Sequence, residues 1–195
     1  MFALLTGLSL LYGSLAGCDN STPAASGQGD GSEQTDGGAE AEGIQALRYT
    51  HDVLGFSIAY PESWDVKQNF ETFAFMGISP QENDEDLYGE NVSVVAMSTP
   101  PDMSLEDFSA LQIRGAKEGL KDYARRGASF EEINGVRAAR FDYVYTVKDL
   151  RIVSITFIIV KDNIAYAINC KATLDDYDRY RAMMLQIARS FRFVN

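Results

Sequence analysis

The sequence is poor in the groups that carry most protein chemistry. Its 195 residues hold one histidine, two cysteines and one tryptophan. A zinc centre needs clustered Cys and His, and none exists. A Ser-His-Asp triad would have to use His51, and no G-x-S-x-G elbow accompanies it. His51 lies at the domain edge beside Tyr49 and Asp52, where a structural role is expected. Neither standard glycine-rich phosphate loop is present. Basic residues are scarce: the formal net charge is −11, and no Lys or Arg occurs before Arg48. Phosphate-backbone affinity comes from clustered Lys and Arg, so nucleic acid is excluded as a partner. Docking on an anionic lipid surface by charge alone is excluded for the same reason. No apolar run reaches the roughly 20 residues of a membrane-spanning helix.

What is present begins with "FALLTGLSLLYGSLA" at 2–16, apolar or small throughout. A run this short fits a secretory signal better than a buried first helix of the domain, because a polar tail follows at once. The Lys or Arg that usually precedes such a run is missing, leaving the α-amino group as the local positive charge. At its end, Leu15-Ala16-Gly17-Cys18 resembles the lipobox of bacterial lipoproteins: an aliphatic residue, two small residues, then Cys. The resemblance implies removal of residues 1–17, a thioether diacylglycerol on Cys18 and an anchor facing the extracytoplasmic side of a bacterial envelope. A free or buried thiol, or a disulfide to Cys170, is the alternative for Cys18. Asp19 resembles the inner-membrane retention signal of enteric lipoproteins.

Residues 18–46 read as a lipidated cysteine followed by a flexible acidic linker. Six of the eleven net negative charges lie there, on Asp19, Asp30, Glu33, Asp36, Glu40 and Glu42, and the remaining five belong to 47–195. Nothing in "DNSTPAASGQGDGSEQTDGGAEAEG" can bury enough surface to offset the entropy of ordering it. As a random coil it spans roughly 25–30 Å. "GDGSEQTDGG" lacks the spacing and terminal Glu of an EF-hand loop.

From 47 onward strands dominate. "FSIAY" (56–60), "TFAFMGI" (72–78) and "NVSVVAM" (91–97) alternate, and Asn134-Gly135 is a strong hairpin signal. In "RAARFDYVYTV" the residues Ala139, Phe141, Tyr143, Tyr145 and Val147 share a face, and "LRIVSITFIIV" (150–160) is apolar at nearly every position, as in a strand covered on both sides. Two helices are expected. One starts at the Ser104 cap and runs through "SLEDFSALQIRGAKEGLKDYARR", its stripe formed by Leu105, Phe108, Leu111, Ala116, Leu120 and Tyr123. The other starts near Thr173 and Asp175 and buries Tyr180, Met183, Met184, Ile187, Ala188 and Phe191. The two methionines fit the core better than a metal. Cys170 reads as a small buried hydrophobe with no activating neighbour. The order implies an α+β domain, a three-layer αβα sandwich around a mostly antiparallel sheet.

The stretch "GFSIAYPESWDV" resembles the opening of PsbP-like domains, where F-x-I-x-Y-P-x-x-W is here Phe56, Ile58, Tyr60, Pro61 and Trp64. "NGVRAARFDYVY", the long apolar strand, the strand to Cys170 and the closing "ARSFRF" follow in the family's order, so the resemblance covers about 145 residues. It implies the αβα sandwich shared by PsbP, the Ran-binding nucleotide-release factors and lipoproteins of the DcrB and LpqN type. It also implies an accessory or binding protein with no catalysis, working on an envelope protein partner. The photosynthetic role of PsbP is not carried over. Two surfaces are candidates for binding. Tyr60, Trp64 and Phe70 form an aromatic cluster, either core or partner patch. "QENDEDLYGE" (81–90) places Asp84, Glu85 and Asp86 in a loop, either solvated or holding Ca²⁺. A carrier of a small ligand in a sheet pocket, or of a divalent cation in that loop, is the alternative function, with a hydrolase a distant third.

Overall fold

The computed structural model describes residues 46–70, 72–83 and 86–194. The expected signal, Cys18 and most of the expected linker therefore lie outside the described residues, as do Asp84 and Glu85. In chain order the elements are β1 (Ala46–His51), β2 (Phe56–Pro61), β3 (Asp65–Phe70), β4 (Phe73–Ile78), β5 (Asn91–Ser98), α1 (Leu105–Gly119), β6 (Lys121–Ile133), β7 (Val136–Val147), β8 (Leu150–Lys161), β9 (Ile164–Thr173), α2 (Tyr177–Arg189) and β10 (Arg192–Phe193).

Seven strands form one sheet in the order β3-β4-β5-β9-β8-β7-β6, and β1, β2 and β10 form a second. All pairings in both sheets are antiparallel. Helix α1 covers one face of the large sheet over β6, β7 and β8; α2 lies on the other against β9, β5 and β2. The expected αβα sandwich is thus the architecture found.

Its layers explain the sequence of β8. Ile152 and Ile158 pack on the α1 side, while Ile155, Phe157 and Ile159 pack on the α2 side. A strand buried on both faces must be apolar at consecutive positions. Tight turns join the long strands. Asn134 (φ 47°) with Gly135 (φ 80°), and Asp162 (φ 51°) with Asn163 (φ 59°), put two consecutive residues in the left-handed region that a two-residue hairpin needs. Asn134 does more than turn: its Nδ2 donates to the carbonyls of Arg189 (2.9 Å) and Phe191 (2.7 Å), tying the β6–β7 hairpin to the end of α2. Asn134→Ala removes both bonds and puts a β-carbon without the amide's tolerance at positive φ. It is expected to cost about 1–3 kcal/mol in a urea unfolding titration.

The first helix is shorter than its sequence pattern suggests. Ser104 caps it as expected, its Oγ accepting from Asp107 N at 3.0 Å. But the helix stops at Gly119, Leu120 is extended, and the segment through Arg126 joins β6. Lys, Ala and Arg favour helix in isolation, yet here a long ladder on β7, with two register shifts, outweighs local preference. The buried positions of α1 are Phe108, Ser109, Gln112 and Ala116; Leu111 is 37% exposed and Tyr123 belongs to the strand. The meander after α1 therefore has four strands, β6 to β9. Helix α2 begins at Tyr177, slightly later than expected, because Thr173 and Asp176 close a turn first: Thr173 Oγ1 accepts from Asp176 N (3.1 Å) and donates to Asp176 Oδ2 (2.7 Å). Its inward stripe is Tyr180, Met184, Leu185, Ile187 and Ala188, with Met183 at the margin.

Candidate functional site

A cavity of about 470 Å³ opens where the loop between β4 and β5 meets the β7–β8 turn and the start of α2. Its acidic lining includes Glu82, Asp86, Glu90, Asp149, Asp175 and Asp176, opposed by Arg151 and Arg179. The loop is held in shape by its own side chains. Asp86 Oδ2 accepts from Glu82 N (3.1 Å) and Oδ1 from Tyr88 N (3.2 Å), so both carboxylate oxygens of Asp86 serve the turn. Gln81 Nε2 donates to Asp86 O at 2.7 Å.

The loop is also fastened to α2. Arg179 forms a two-pronged ion pair with Glu82, Nη1 donating to Oε2 at 2.8 Å and Nη2 to Oε1, and Tyr180 Oη donates to Glu82 Oε1 at 2.8 Å. Part of the cavity's negative charge is thereby neutralised from within. Glu90 is buried and bonded by Ser79 Oγ at 3.2 Å. Burial pushes its carboxyl above the ordinary range, outweighing the hydrogen bonds that hold it down. Among the described residues, no group of three or more His, Cys, Asp or Glu is arranged to hold a metal ion. Of the three carboxylates expected for Ca²⁺, only Asp86 is described, and its oxygens are occupied as stated.

The aromatic candidates separate. Trp64 is 5% exposed and belongs to the α2-side core, with its ring against Gly77. Tyr60 is half-buried and tilted on Phe75, ring centroids 5.7 Å apart. Phe70 pairs with Phe73 through its backbone in the β3–β4 ladder, and its side chain is outside the described set. Trp64 thus serves packing, and Tyr60 is the described member of the trio with exposed surface.

His51 closes the β1–β2 turn, its Nδ1 accepting from Leu54 N at 3.2 Å, and sits edge-on to Tyr49. Cys170 is fully buried, its thiol donating weakly to Met184 O at 3.5 Å, and burial drives its pKa strongly upward. A thiol so protected is unreactive at neutral pH, in keeping with its reading as a small hydrophobe.

Local sequence gave no sign of one group. Lys171 follows Cys170 near the end of β9 and is half-buried in the interior of the large sheet, with no ion pair among the described residues. Burial lowers its pKa to about 8. No sequence pattern flags it, because its surroundings come from strands distant in the chain.

A family model described as PsbP matches residues 45–193. No curated protein matches the chain in sequence. Among solved structures, the cyanobacterial PsbP (CyanoP) of Synechocystis sp. PCC 6803 is 20% identical with a TM-score of 0.56, over 80% of this chain and 98% of that one. LpqN of Mycobacterium tuberculosis, described as involved in cell envelope biogenesis, is 14% identical with a TM-score of 0.57, over 78% and 92%. The Ran-binding protein Mog1p of Saccharomyces cerevisiae is 8% identical with a TM-score of 0.53, over 78% and 97%. At these identities the likeness is one of fold.

Proposed function

The chain belongs to the PsbP family, and we propose that it is a lipid-anchored, extracytoplasmic accessory protein that binds another envelope protein and catalyses nothing itself. The observation that carries this reading is Leu15-Ala16-Gly17-Cys18, set between a short apolar run and an acidic tail that leads directly into the folded domain. Support for a binding role comes from the fold. LpqN is described by envelope biogenesis and Mog1p by Ran binding, neither by a reaction.

The physics of the tail suits this role. One acyl chain gives marginal membrane attachment, whereas a diacylglycerol with an acylated amino terminus gives a stable one. A coil of about 25 residues then reaches roughly 25–30 Å. Its negative charge is repelled by anionic headgroups, which keeps the domain clear of the surface and accessible to a partner. Asp19 favours retention in the inner membrane. Among the described residues no helix is long and apolar enough to cross a membrane.

Cys18→Ser tests the anchor. The variant is expected to take up no labelled palmitate and to leave the membrane fraction or accumulate with residues 1–17 attached, read by intact mass. Unchanged mass and unchanged membrane retention would remove the anchor from the proposal. Crosslinking in intact cells then tests the binding role: the anchored form should capture a discrete envelope protein that the Cys18→Ser form captures less.

A further inference from the structure

The face of the large sheet that meets α1 is apolar over most of its buried extent, carrying Phe141, Tyr143, Tyr145, Ile152, Ile158 and Ala165. Its middle is different. Cross-strand register sets Asn91, Lys171, Ser154 and Tyr143 side by side across β5, β9, β8 and β7. The next row contains Ser93, Asn169 and Thr156. Strand alternation puts both rows on the α1 side, opposite the α2-side residues Ile168, Cys170 and Ile155.

The polar groups here are unevenly satisfied. Ser93 is fully buried, and its Oγ has no hydrogen-bond partner. Asn169 is 5% exposed; its Oδ1 accepts from Thr156 Oγ1 at 2.9 Å, which orients the amide so that Nδ2 is its donating end. Lys171 has no ion pair among the described residues. The described ion pairs join Arg137 to Glu106, Arg140 to Asp142, Arg179 to Glu82 and Asp176, and Arg189 to Glu131. Glu90, adjacent to Asn91, is engaged by Ser79 instead. The nearby tyrosines Tyr88 and Tyr143 are kept neutral by burial and offer no negative charge.

A buried hydroxyl without a partner, and a half-buried ammonium with no ion pair among the described residues, are both costly features that a folded protein does not keep by default. Here they lie in adjacent rows, and what they share is the capacity to donate. We propose that Lys171, Ser93 and Asn169 form a binding site for a single carboxylate, with the ammonium supplying the charge and the hydroxyl and amide supplying further hydrogen bonds. The single positive charge matches a monoanion. Phosphate sites gather arginines or a helix N-terminus, and the two rows contain neither. The carboxylate belongs either to a small organic acid or to the end of a peptide chain, two sources of the same chemistry. The site is distinct from the acidic cavity and independent of the anchor.

The test is a titration of the full chain with sodium butyrate at constant ionic strength, sodium chloride serving as the control. The readout is the side-chain NMR signal of Lys171. Saturable one-to-one binding is expected, with the deprotonation midpoint of Lys171 moving upward at saturation. Lys171→Met should weaken binding about ten-fold or more, and Ser93→Ala several-fold. A peptide with a free carboxyl end, compared with the same peptide amidated, identifies the source. The site is overturned by a response that does not saturate, by a chloride response of equal size, or by binding that survives Lys171→Met. If Lys171→Met does not fold, Ser93→Ala and the Lys171 signal of the unaltered chain decide in the same way.

Discussion

Replacing Phe56 with Ala is expected to cost about 3–5 kcal/mol, the range for truncating a fully buried aromatic ring. Phe56 sits on β2 and is completely enclosed. Its ring stacks on Phe191 just beyond α2 (centroids 5.2 Å, 23°) and meets Tyr166 of β9 edge-on (6.2 Å, 76°). It also meets Tyr49 of β1 (6.1 Å, 64°) and tilts against His51 (5.4 Å, 31°). One side chain therefore joins the three-stranded sheet, the large sheet and the end of α2. Urea unfolding followed by fluorescence should show a lower midpoint with an unchanged slope, and Phe56→Leu should cost much less, about 1–1.5 kcal/mol. The comparison has a structural meaning. If Phe56→Ala costs less than about 1 kcal/mol, the small sheet unfolds separately and is no part of the domain's cooperative unit.

The same residue opens the F-x-I-x-Y-P-x-x-W stretch, which explains why that stretch marks the fold so well. Phe56, Ile58 and Trp64 are core, and Pro61 O accepts from Trp64 N at 3.0 Å to set the turn. The motif records packing and a turn, so it was legible in the sequence and silent about function. The two-faced burial of β8, the Asn134-Gly135 hairpin and the inward stripe of α2 were legible for a similar reason: each depends on residues close in the chain. Helix α1 shows the limit. Its N-cap was local and correct, while its end was set by pairing with β7, a contact no helical pattern contains. Tyr49 is the one buried residue of β1, which leaves that strand without the alternation that announces a strand. The polar rows are the extreme case. Ser93, Asn169 and Ser154 lie on three separate strands, and only the register of β5 on β9 and β9 on β8 brings them together.

Lys171 carries the second large effect, on stability against pH. Its amine has a pKa of about 8 when folded and an ordinary one near 10.5 when unfolded. Between these values the unfolded chain binds the Lys171 proton more tightly, so the contribution of this one group to stability rises with pH across the window. Below about pH 8 both states are protonated and the folded state bears the full desolvation cost; above about pH 10.5 neither is, and the cost is gone. The shift corresponds to about 3 kcal/mol as a ceiling, and partial exposure of the residue trims it to about 1–3 kcal/mol. The buried Cys170 thiol pulls the other way: burial raises its pKa, so above its ordinary value of 9.0 only the unfolded chain loses that proton, and the effect of Lys171 is read as the difference between the Lys171→Met variant and the unaltered chain. Lys171→Met should consequently be more stable than the unaltered chain at pH 7, and that advantage should shrink between about pH 8 and 10.5, as read from urea midpoints at several pH values. A variant less stable at pH 7, with the same pH dependence as the unaltered chain, would mean that the ammonium is already stabilised by solvent or a partner. A stabilised variant would mean that the protein keeps a charge in its sheet at the expense of its own stability, which is the expected cost of a site that becomes complete only when an anion arrives.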